Sequence, residues 1–533
     1  MQYCVSQKEY KNNFFYFFIK FKNFFLSYTK VLKLVNHALS LQKLLNNYIN
    51  NDLIKNILIN KIILDSRKIK GKNCLFIAVK GHKKDGKNFI EHAITKGAAA
   101  ILTYPDNIVS YRKIFFKKNI PIIYLPNLHK YISYFAGILY GNPSEKIPVI
   151  GITGTNGKTS VTNFLMQWLY FLKKKPAILS TIGNGFYKKL IKTNNTTDSA
   201  VKIQSSLKNF IDKKADIVIM EVSAHGITQF RVANIIFYIG IFTNLSRDHL
   251  DYYYNMKNYE LSKWNFFSKY KIKKKIINID DNIGYKWFKK LPNTIAITTK
   301  KRVINKSNLF FNAKKIIFFE KKTIILFKSS WGNGKIKINL IGHFNVLNII
   351  LTITALLSLN YPLKELLKTA SKIYPVEGRM QEVCFKKKSI PKIIIDYAHT
   401  PDSLKNVLLT IKLFCKRKIW CVFGCGGERD IGKRSMMGNI ATKFANYVIL
   451  TNDNPRTENA LNIINDIKKG CKTLKNVYSI LDRTKAISYA IFNSHKKDTI
   501  LITGKGHENY QIIGNKTLNY SDYNTIQKIL KKY

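Results

Sequence analysis

Residues 147–160 read Ile-Pro-Val-Ile-Gly-Ile-Thr-Gly-Thr-Asn-Gly-Lys-Thr-Ser, an apolar strand followed directly by a glycine-rich turn. Glycines let successive backbone N–H groups converge on phosphate oxygens, and the helix that follows directs its positive end at the same anion. Lys158 adds a cation, and the hydroxyl of Thr159 can hold Mg²⁺. The loop is shorter than the general phosphate-binding loop, because Ile152 stands where that motif has its first glycine. The stretch predicts a nucleoside triphosphate site, with a plain strand–turn–helix connection as the alternative.

The composition limits the class of protein. A chain of 533 residues is too long for one hydrophobic core and predicts roughly three or four domains. The formal net charge of +58 would suit a nucleic-acid-binding protein, but the lysines occur in nearly every segment and form no basic stripe or arm. We therefore expect no nucleic acid as the main partner. The seven cysteines lack the paired spacing of a zinc site, which favours a reducing cytoplasm.

Residues 1–38 form an extension to which we assign no role. Its apolar run, residues 12–26, is interrupted by Lys20 and Lys22 and is too short to span a bilayer. The extension also lacks the small-residue cleavage site of a signal peptide. We expect no stable membrane insertion, and contact with a membrane surface is an open alternative.

Short apolar runs alternate with helix-period segments along most of the chain, which is typical of parallel sheets covered by helices. The linker that ends near residue 146 predicts a first domain at 39–146, followed by a central domain at 147–374 and a C-terminal domain at 375–533. A lysine-rich, β-prone insert is predicted at 295–340. A helix after Asn345 is predicted to end near Tyr374.

The predicted buried strands fall into two series. Those of the central domain are 147–153, 215–220, 236–242 and 275–279. Those of the C-terminal domain are 392–396, 418–424, 447–451 and 498–503.

Polar side chains follow the strands that come after the phosphate loop. Glu221 follows one strand, and His249 and Asp251 follow the next, where carboxylates can reach the Mg²⁺ ion of a bound triphosphate. Each histidine alone fits a structural or surface role, but their place after parallel strands favours a function. Spacing alone makes Lys263 one more exposed lysine among many.

Six motifs together resemble the Mur ligases, in order and with fitting spacing from about residue 40 to the C-terminus. The motifs are Gly154–Ser160, Glu221–Gly226, Thr243–Asp251, Gly342–Asn348, Asp396–Asp402 and Gly504–Glu508. The resemblance is closest to the branch of the family that adds diaminopimelate. It implies an α/β protein of three domains: a central phosphate-loop ATPase domain with a parallel sheet, a Rossmann-like C-terminal domain and a smaller N-terminal domain for a UDP-linked substrate.

The resemblance also implies a reaction, an ATP-dependent ligation in peptidoglycan precursor synthesis by a cytoplasmic monomer. ATP phosphorylates a carboxylate of UDP-N-acetylmuramoyl-L-alanyl-D-glutamate, and the amine of meso-2,6-diaminopimelate attacks the acyl phosphate. Such chemistry depends on positioning and charge neutralisation. The implied catalytic groups are Lys158, Glu221, His249 and Lys263, the last carbamylated by CO₂ in the family. The implied ligands of a first Mg²⁺ ion are Thr159 and Glu221, and those of a second Mg²⁺ ion are His249 and carbamylated Lys263.

Three sets of binding residues follow from the same resemblance. Those for ATP are Gly154, Thr155, Asn156, Gly157, Lys158, Thr159, Ser160, Asn345 and His399. Those for the UDP-muramoyl dipeptide are Leu64, Ser66, His82, Lys83, Lys84, Asn195, Thr196, Thr197, Ser223, Gln229 and Arg231. Those for diaminopimelate are Arg429, Asp453, Asn454, Pro455, Arg456, Gly504 and Glu508.

Arg456 carries the inference about the incoming amino acid. meso-Diaminopimelate differs from lysine by a carboxylate on its far carbon, which a guanidinium matches with two parallel hydrogen bonds. A lysine-adding enzyme would leave this buried cation without a partner, which is strongly unfavourable. Glu508 is expected to meet the ammonium group of the substrate. A turn followed by a surface arginine is the alternative to such a pocket.

Four other functions remain open from the sequence. The lysine-adding branch and a folate-polyglutamylating relative share the phosphate loop, but the second should lack the Asp453–Arg456 tetrapeptide and the N-terminal domain. A nucleic-acid-binding ATPase would account for the net charge. A degenerate protein kept as a binding partner is disfavoured, because Lys158, Glu221, His249 and Lys263 are all intact.

Overall fold

The computed structural model describes residues 38–49, 51–81, 84–106, 113–193, 195–302, 309–385 and 390–532. These residues form two units. The first contains residues 38–143, 200–208 and 229–234, and the second contains the other described residues. The predicted N-terminal extension lies outside the described residues except for its last position. Within the described ranges, every helix is too short or too polar to cross a membrane.

The first unit is built around a mostly parallel sheet. Its strands are β1 (Leu39–Ser40), β2 (Leu58–Ile59), β3 (Lys61–Ile63), β4 (Cys74–Ala78), β5 (Ala100–Thr103), β6 (Ile114–Lys117) and β7 (Ile120–Tyr124). Its helices are α1 (Leu41–Leu45), α2 (Ile90–Thr95) and α3 (Leu128–Leu139), with short 3₁₀ helices at Asp52–Ile54, Ser66–Lys68 and Gly86–Phe89. The sheet order is β3-β4-β5-β7-β6, and β1 pairs with β2 separately. Every residue of β4 and β5 is buried, as expected for strands of a parallel sheet.

The second unit contains the predicted central sheet. Its strands are β8 (Val149–Thr153), β9 (Pro176–Ser180), β10 (Gly183–Phe186), β11 (Lys189–Ile191), β12 (Ile217–Glu221), β13 (Phe237–Phe242), β14 (Ile272–Asn278), β15 (Thr294–Thr298), β16 (Phe310–Phe318), β17 (Thr323–Ser329) and β18 (Gly332–Ile338). In the described chain they follow the order β11-β10-β9-β12-β8-β13-β14-β15-β16-β17-β18, parallel from β9 to β16. The four predicted central strands are confirmed as β8, β12, β13 and β14. The predicted β-prone insert supplies β15 to β18, which extend the same sheet.

Helices alternate with these strands along the chain. They are α4 (Pro143–Lys146), α5 (Lys158–Phe171), α6 (Ala200–Asp212), α7 (Ala224–Thr228), α8 (Leu250–Tyr253), α9 (Met256–Lys269), α10 (Asn282–Phe288), α11 (His343–Ser358) and α12 (Leu363–Thr369). Residues 200–208 of α6 belong to the first unit. Helix α5, which follows the phosphate loop, contributes Phe164 and Trp168 to the largest apolar cluster, and α11 contributes Ile349 and Ile353. The site at the end of β8 therefore stands on a rigid, fully buried strand.

The prediction of one helix ending near Tyr374 is wrong. Helix α11 ends at Ser358, and α12 with a 3₁₀ turn at Ala370–Lys372 follows after a break. Asn360 adopts a φ of +65°, and Pro362 precedes the first residue of α12. Proline lacks an N–H and disfavours helical backbone in the residue before it, so the chain cannot continue as one helix.

The C-terminal part of the second unit forms a further sheet covered by helices. Its strands are β19 (Gln381–Glu382), β20 (Lys392–Asp396), β21 (Ile419–Phe423), β22 (Tyr447–Leu450), β23 (Val477–Ser479) and β24 (Thr499–Thr503), in the order β19-β20-β24-β21-β22-β23. A hairpin of β25 (Tyr510–Ile513) and β26 (Lys516–Asn519) follows. The helices are α13 (Pro401–Lys412), α14 (Gly432–Phe444), α15 (Ala460–Lys468), α16 (Arg483–Asn493) and α17 (Asp522–Lys532). The four predicted strands are confirmed as β20, β21, β22 and β24, which are mutually parallel, and so is the α/β class.

A buried ion pair ties α17 to α16. The side chains of Arg483 and Asp522 are fully buried and share two hydrogen bonds of 2.7 and 2.8 Å. We expect Arg483→Met to lower the free energy of unfolding by about 3–5 kcal/mol, because it leaves an uncompensated charge in the interior. Chemical denaturation measures the change. The double variant Arg483→Met/Asp522→Leu should recover most of it, and an unchanged midpoint for the single variant would contradict the prediction.

Candidate active site

The predicted phosphate loop joins the end of β8 to the start of α5. Gly154 and Gly157 have φ values of +148° and +89°, backbone that glycine adopts without strain. The loop is held in place by Asn244, whose carbonyl oxygen accepts from the N–H of Thr155 at 2.9 Å and whose Oδ1 accepts from that of Asn156 at 3.0 Å. The first N–H groups of α5 have no carbonyl partner within the helix, so they are placed to receive an anion.

The side chain of Lys158 is folded back over this loop. Its Nζ donates to the carbonyl oxygens of Gly154 and Thr155, both at 2.8 Å. Burial of the ammonium group lowers the pKa of Lys158, and the carboxylates of Glu221 and Asp248 oppose that shift. The two carboxylates thus favour the charged form of Lys158 at the loop.

Glu221 lies at the carboxyl end of β12, next to β8, and is 1% exposed. Its Oε2 accepts from the hydroxyls of Thr159 and Thr181, both at 3.1 Å, and its Oε1 accepts from the N–H of Thr181 at 3.0 Å. Burial raises the pKa of Glu221, while Lys158 lowers it. The two oxygen groups predicted to bind Mg²⁺, Thr159 and Glu221, are thus in direct contact.

Lys263 is fully buried in α9, so the alternative of an exposed lysine is wrong. Its Nζ donates to the carbonyl oxygen of Gly154 at 3.0 Å and lies 4.6 Å from the ring centre of Tyr259. Burial, reinforced by the charge of Lys158, holds the pKa of Lys263 well below its usual range. Burial thus favours the uncharged amine form of Lys263, next to the phosphate loop.

His249 follows β13 and forms a pair with Asp248. The Nε2 of His249 lies 3.4 Å from Oδ2 of Asp248, and its ring lies 4.9 Å from that of His225. Burial lowers the pKa of His249 to about 3, so its imidazole is neutral at physiological pH and able to bind a metal ion. The charges of Lys158 and Lys263 act on it as well.

Asp248, which sequence reasoning did not single out, joins this group to the C-terminal part of the second unit. Its Oδ2 lies 3.6 Å from Nε2 of His399, and its Oδ1 lies 3.9 Å from Nζ of Lys433. Burial alone would raise the pKa of Asp248, but His249, His399 and Lys433 hold it well below its usual range. Asp248 is therefore an anion that links the two parts.

The residues predicted to bind the nucleoside are only partly brought together. His399 lies next to Asp248, and its Nδ1 contacts the carbonyl oxygen of Tyr397 at 2.9 Å. Asn156 of the loop donates to Oδ2 of Asp402 at 3.3 Å. Asn345 is buried at the start of α11, where its Nδ2 donates to the carbonyl oxygen of Ile341 at 2.9 Å.

A cavity of about 1200 Å³ unites predicted residues of the second unit. The predicted residues that line it are Asn195, Thr196, His249, His399, Arg429, Asp453, Asn454, Arg456, Gly504 and Glu508. Pro455 is buried and lies outside that lining. Residues from the central and C-terminal sheets thus face one space, large enough for an extended polar substrate.

Arg456 is held in an unusual backbone conformation at this cavity. Its φ is +55°, its N–H donates to the carbonyl oxygen of Ile512 at 3.1 Å, and its own carbonyl oxygen accepts from Gly514 at 2.7 Å. Its Nη1 donates to the carbonyl oxygen of Gly427 at 2.5 Å. The hairpin β25–β26 therefore fixes the backbone of Arg456, and the Gly427 carbonyl oxygen holds its guanidinium. Such strain in a non-glycine residue is typical of functional positions.

Of the remaining residues predicted to bind the UDP-muramoyl dipeptide, some lie in the second unit and others in the first. In the second unit, Thr197 donates to the carbonyl oxygen of Glu221 at 2.8 Å, and the N–H of Ser223 donates to Thr197 at 2.9 Å. In the first unit are Leu64, Ser66, Lys84, Gln229 and Arg231. Ser66 is buried, with its hydroxyl 2.9 Å from Nδ1 of His92. His82 and Lys83 lie outside the described residues.

Arg379 is another residue that the sequence did not single out. Its Nη2 donates to Oγ1 of Thr159 at 3.4 Å, and its guanidinium lies 4.3 Å from the ring centre of Tyr397. Its Nε is buried without a hydrogen-bond partner among the described residues. Arg379 lies just after the predicted domain boundary at residue 374, where no local pattern marks it, and only the fold brings it to the phosphate loop.

The side chains of His, Cys, Asp and Glu do not form a metal site by themselves in the described ranges, since no group of three or more is close enough. The predicted Mg²⁺ ligands are not a cluster of these four residue types alone, because they include a threonine hydroxyl and a modified lysine. The structure brings Thr159 and Glu221 into contact and places His249 and Lys263 within reach of the charge of Lys158.

Models of known families match most of the chain. Residues 58–134 match "Mur ligase family, catalytic domain", residues 152–356 match "Mur ligase middle domain" and residues 378–506 match "Mur ligase, glutamate ligase domain". The chain belongs to the Mur ligase family. Members of this family are ATP-dependent ligases that form amide bonds, and this Mur ligase has the family's three-domain α/β fold.

Named relatives give the same family. The chain is 48% identical to the UDP-N-acetylmuramoyl-L-alanyl-D-glutamate–2,6-diaminopimelate ligase of Buchnera aphidicola subsp. Schizaphis graminum (strain Sg), over 89% of this chain and 95% of that one. It is 47% identical to the ligase of the same name from Wigglesworthia glossinidia brevipalpis, over 94% and 100%. A solved structure with that name is 28% identical, with a TM-score of 0.63 over 93% of this chain and 99% of the other.

The tight packing around Gly157 allows a test of the phosphate loop. A Cβ there would lie 2.7 Å from Oδ1 of Asn348. A side chain at this positive φ also costs about 1–2 kcal/mol of strain. We expect Gly157→Ala to abolish the rise in melting temperature that ATP causes in the wild type. Gly71→Ala is the control, because Gly71 has a φ of +88° but nothing within 4 Å of the added Cβ. An undiminished ATP effect in Gly157→Ala would refute the assignment.

Proposed function

We propose that this Mur ligase joins meso-2,6-diaminopimelate to the D-glutamate carboxylate of UDP-N-acetylmuramoyl-L-alanyl-D-glutamate, with hydrolysis of ATP to ADP and phosphate. The observation that carries the proposal is the cavity in which Arg456 and Glu508 face the same space as His249. Relatives that are 47–48% identical bear the name of this reaction. A small-molecule ligation in peptidoglycan precursor synthesis is the function that the site supports best.

The proposed reaction has two steps that balance. A carboxylate oxygen of the D-glutamate attacks the γ-phosphorus of ATP, and the bond to the β-phosphate oxygen breaks to release ADP. The amine nitrogen then attacks the acyl carbon, phosphate leaves with the electron pair of the C–O bond, and the nitrogen loses a proton. Both steps move negative charge past the phosphate loop, so cations and N–H groups fixed in advance lower the barriers.

The chain's own residues have distinct parts in these steps. Lys158 and the N–H groups of α5 hold the phosphates, and Arg379 supplies a further cation next to Thr159. Thr159 and Glu221 would hold one Mg²⁺ ion, and carbamylated Lys263 and His249 a second, since hard oxygen donors suit Mg²⁺ and a neutral imidazole can add one nitrogen ligand. Bound Mg²⁺ would neutralise charge on the transferring phosphoryl group.

Carbamylation of Lys263 is part of the proposal. The uncharged Nζ would attack the carbon of CO₂, a C–N bond would form and one proton would leave, so that the amine becomes an anionic carbamate. Complete burial supports this assignment, because an ordinary ammonium would have only the Gly154 oxygen as a hydrogen-bond acceptor within the described residues. A metal ion and the nearby Lys158 would stabilise the resulting negative charge.

Specificity for diaminopimelate rests on the two arginines of the cavity. Arg456 is fixed by the hairpin, and Arg429 lies 3.3 Å from Asp251 through Nη1. A carboxylate on the far carbon of the substrate would pair with the guanidinium of Arg456, whereas lysine would leave that cation unpaired. The lysine-adding branch of the family is therefore the less favoured alternative.

The acceptor would be held by the residues predicted for it. Thr196, Thr197 and Ser223 are proposed to contact the peptide, and the residues at Leu64–Ser66 the nucleotide end. The predicted boundaries after residues 38, 146 and 374 remain predictions, and so does a monomeric state. We place the reaction in the cytoplasm, because ATP and UDP-linked precursors are made there.

Substrate choice tests the proposal directly. We expect ADP release in the presence of the UDP-muramoyl dipeptide to require meso-diaminopimelate and to be far slower with L-lysine. Arg456→Met should raise KM for diaminopimelate roughly ten- to a hundredfold, because a charge-assisted pair is lost. Arg417→Met, at a half-exposed arginine of the same sheet, is the matched control and should leave KM unchanged. Preference for L-lysine would overturn the assignment.

The modification of Lys263 has its own measurement. The wild type incubated with ¹³C-bicarbonate should give a carbamate carbon signal in NMR, which Lys263→Ala should lack along with ligase activity. Lys257→Ala removes an exposed lysine from the same helix and should keep both. A wild-type enzyme that is active and has no carbamate signal would contradict this part of the proposal.

A further inference from the structure

Lys505 is a fully buried lysine that none of the roles above uses. It follows β24 on the loop that also carries Gly504. Its Nζ lies 3.4 Å from Oδ1 of Asp453, 3.1 Å from Oδ1 of Asn454 and 3.4 Å from Oε2 of Glu508. These three neighbours line the cavity, whereas Lys505 lies behind them. A buried ammonium group with three oxygen partners has its hydrogen-bonding capacity satisfied.

The contacts of Lys505 decide which way Asn454 points. Oδ1 of Asn454 accepts from Lys505 and from the N–H of Ile512 at 3.0 Å. Its Nδ2 is thereby turned toward Glu508 and donates to Oε2 at 3.2 Å. With two donors on one end and an acceptor at the other, the amide has a single favourable orientation.

Glu508 is surrounded by donors on both oxygens. Oε1 accepts from the hydroxyl of Tyr397 at 3.3 Å, and Oε2 receives Asn454 and Lys505. Donors around both oxygens suit an ionised carboxylate, which can only accept hydrogen bonds. Burial and the nearby Asp453 raise the pKa of Glu508, and Lys505 is the positive charge that opposes them.

Other titratable groups do not replace Lys505. The phenols of Tyr397 and Tyr510 face Glu508, and each has a pKa raised by burial, so they remain neutral donors. Lys505 is the cation in hydrogen-bond contact with Glu508, while the charges of Arg456 and Arg483 act on the neighbouring Tyr510 and Asp453. Two carboxylates, Asp453 and Glu508, therefore lie at the cavity wall, where an ammonium group can enter.

We propose that Lys505 is a positioning residue of the amino-acid subsite: from behind the cavity wall it holds Glu508 as an anion and Asn454 in one orientation, so that the subsite takes the ammonium group of the incoming amino acid. The inference rests on the proposed function, since Lys505 is proposed to act on the amino-acid pocket of that same reaction. A purely structural lysine would contribute to folding and leave the charge state of Glu508 unchanged.

The experiment compares pH profiles of the full-length enzyme with the UDP-muramoyl dipeptide as acceptor. Lys505→Met keeps the length of the side chain and removes its charge. We expect KM for meso-diaminopimelate to rise about tenfold or more, with KM for ATP unchanged. Without the charge of Lys505, the pKa of Glu508 rises further, so a higher pH is needed to ionise this carboxyl. The acid limb of kcat/KM for diaminopimelate should therefore move up by about one pH unit or more. An unmoved acid limb would overturn the inference.

Two further variants separate the possible causes. Glu508→Gln should remove the acid limb, and Lys505→Met/Glu508→Gln should raise KM no more than Glu508→Gln alone, because Lys505 acts through that carboxylate. Additive effects, or an acid limb that persists in Glu508→Gln, would refute the inference even if Lys505→Met failed to fold. Failure of the wild type to use diaminopimelate would instead refute the proposed function.

Discussion

Buried charge at the carboxyl ends of β8, β12 and β13 is the constraint on which the rest of this site depends. Glu221, Asp248 and Lys263 are each at most 6% exposed, and charges removed from water need compensating charge or hydrogen bonds. Lys158 interacts with all three. The strand order β12-β8-β13 brings these groups together. A different strand order would separate the buried charges from the groups that compensate them.

Charged residues of the segment after β13 connect the phosphate loop to the amino-acid pocket. Arg247 donates to both oxygens of Asp430 at 2.8 and 2.9 Å, and Asp251 lies 3.3 Å from Arg429. Together with those of Asp248, these contacts join the short segment after β13 to two loops of the C-terminal sheet. A ligase must bring an acyl phosphate and an amine to the same point, and this segment is where the structure sets their separation.

Much of the fold could be predicted from local patterns, because a buried parallel strand such as β8 is apolar throughout and the phosphate loop needs glycines. The break before α12 is also marked in the sequence, because Pro362 lacks an N–H and disfavours helical backbone in the residue before it. The burial of Lys263 and the partners of Lys505 could not be predicted by spacing. In a chain with lysines in nearly every segment, only packing determines which of them leave water, and that depends on residues distant in sequence.

A single carbonyl oxygen, that of Gly154, accepts from both Lys158 and Lys263. A triphosphate that draws Lys158 away leaves this oxygen to Lys263 alone, and conversion of Lys263 to a carbamate would leave it to Lys158. Under the proposed carbamylation, nucleotide binding and uptake of CO₂ would therefore act on one shared acceptor, and any effect of one on the equilibrium of the other would be reciprocal.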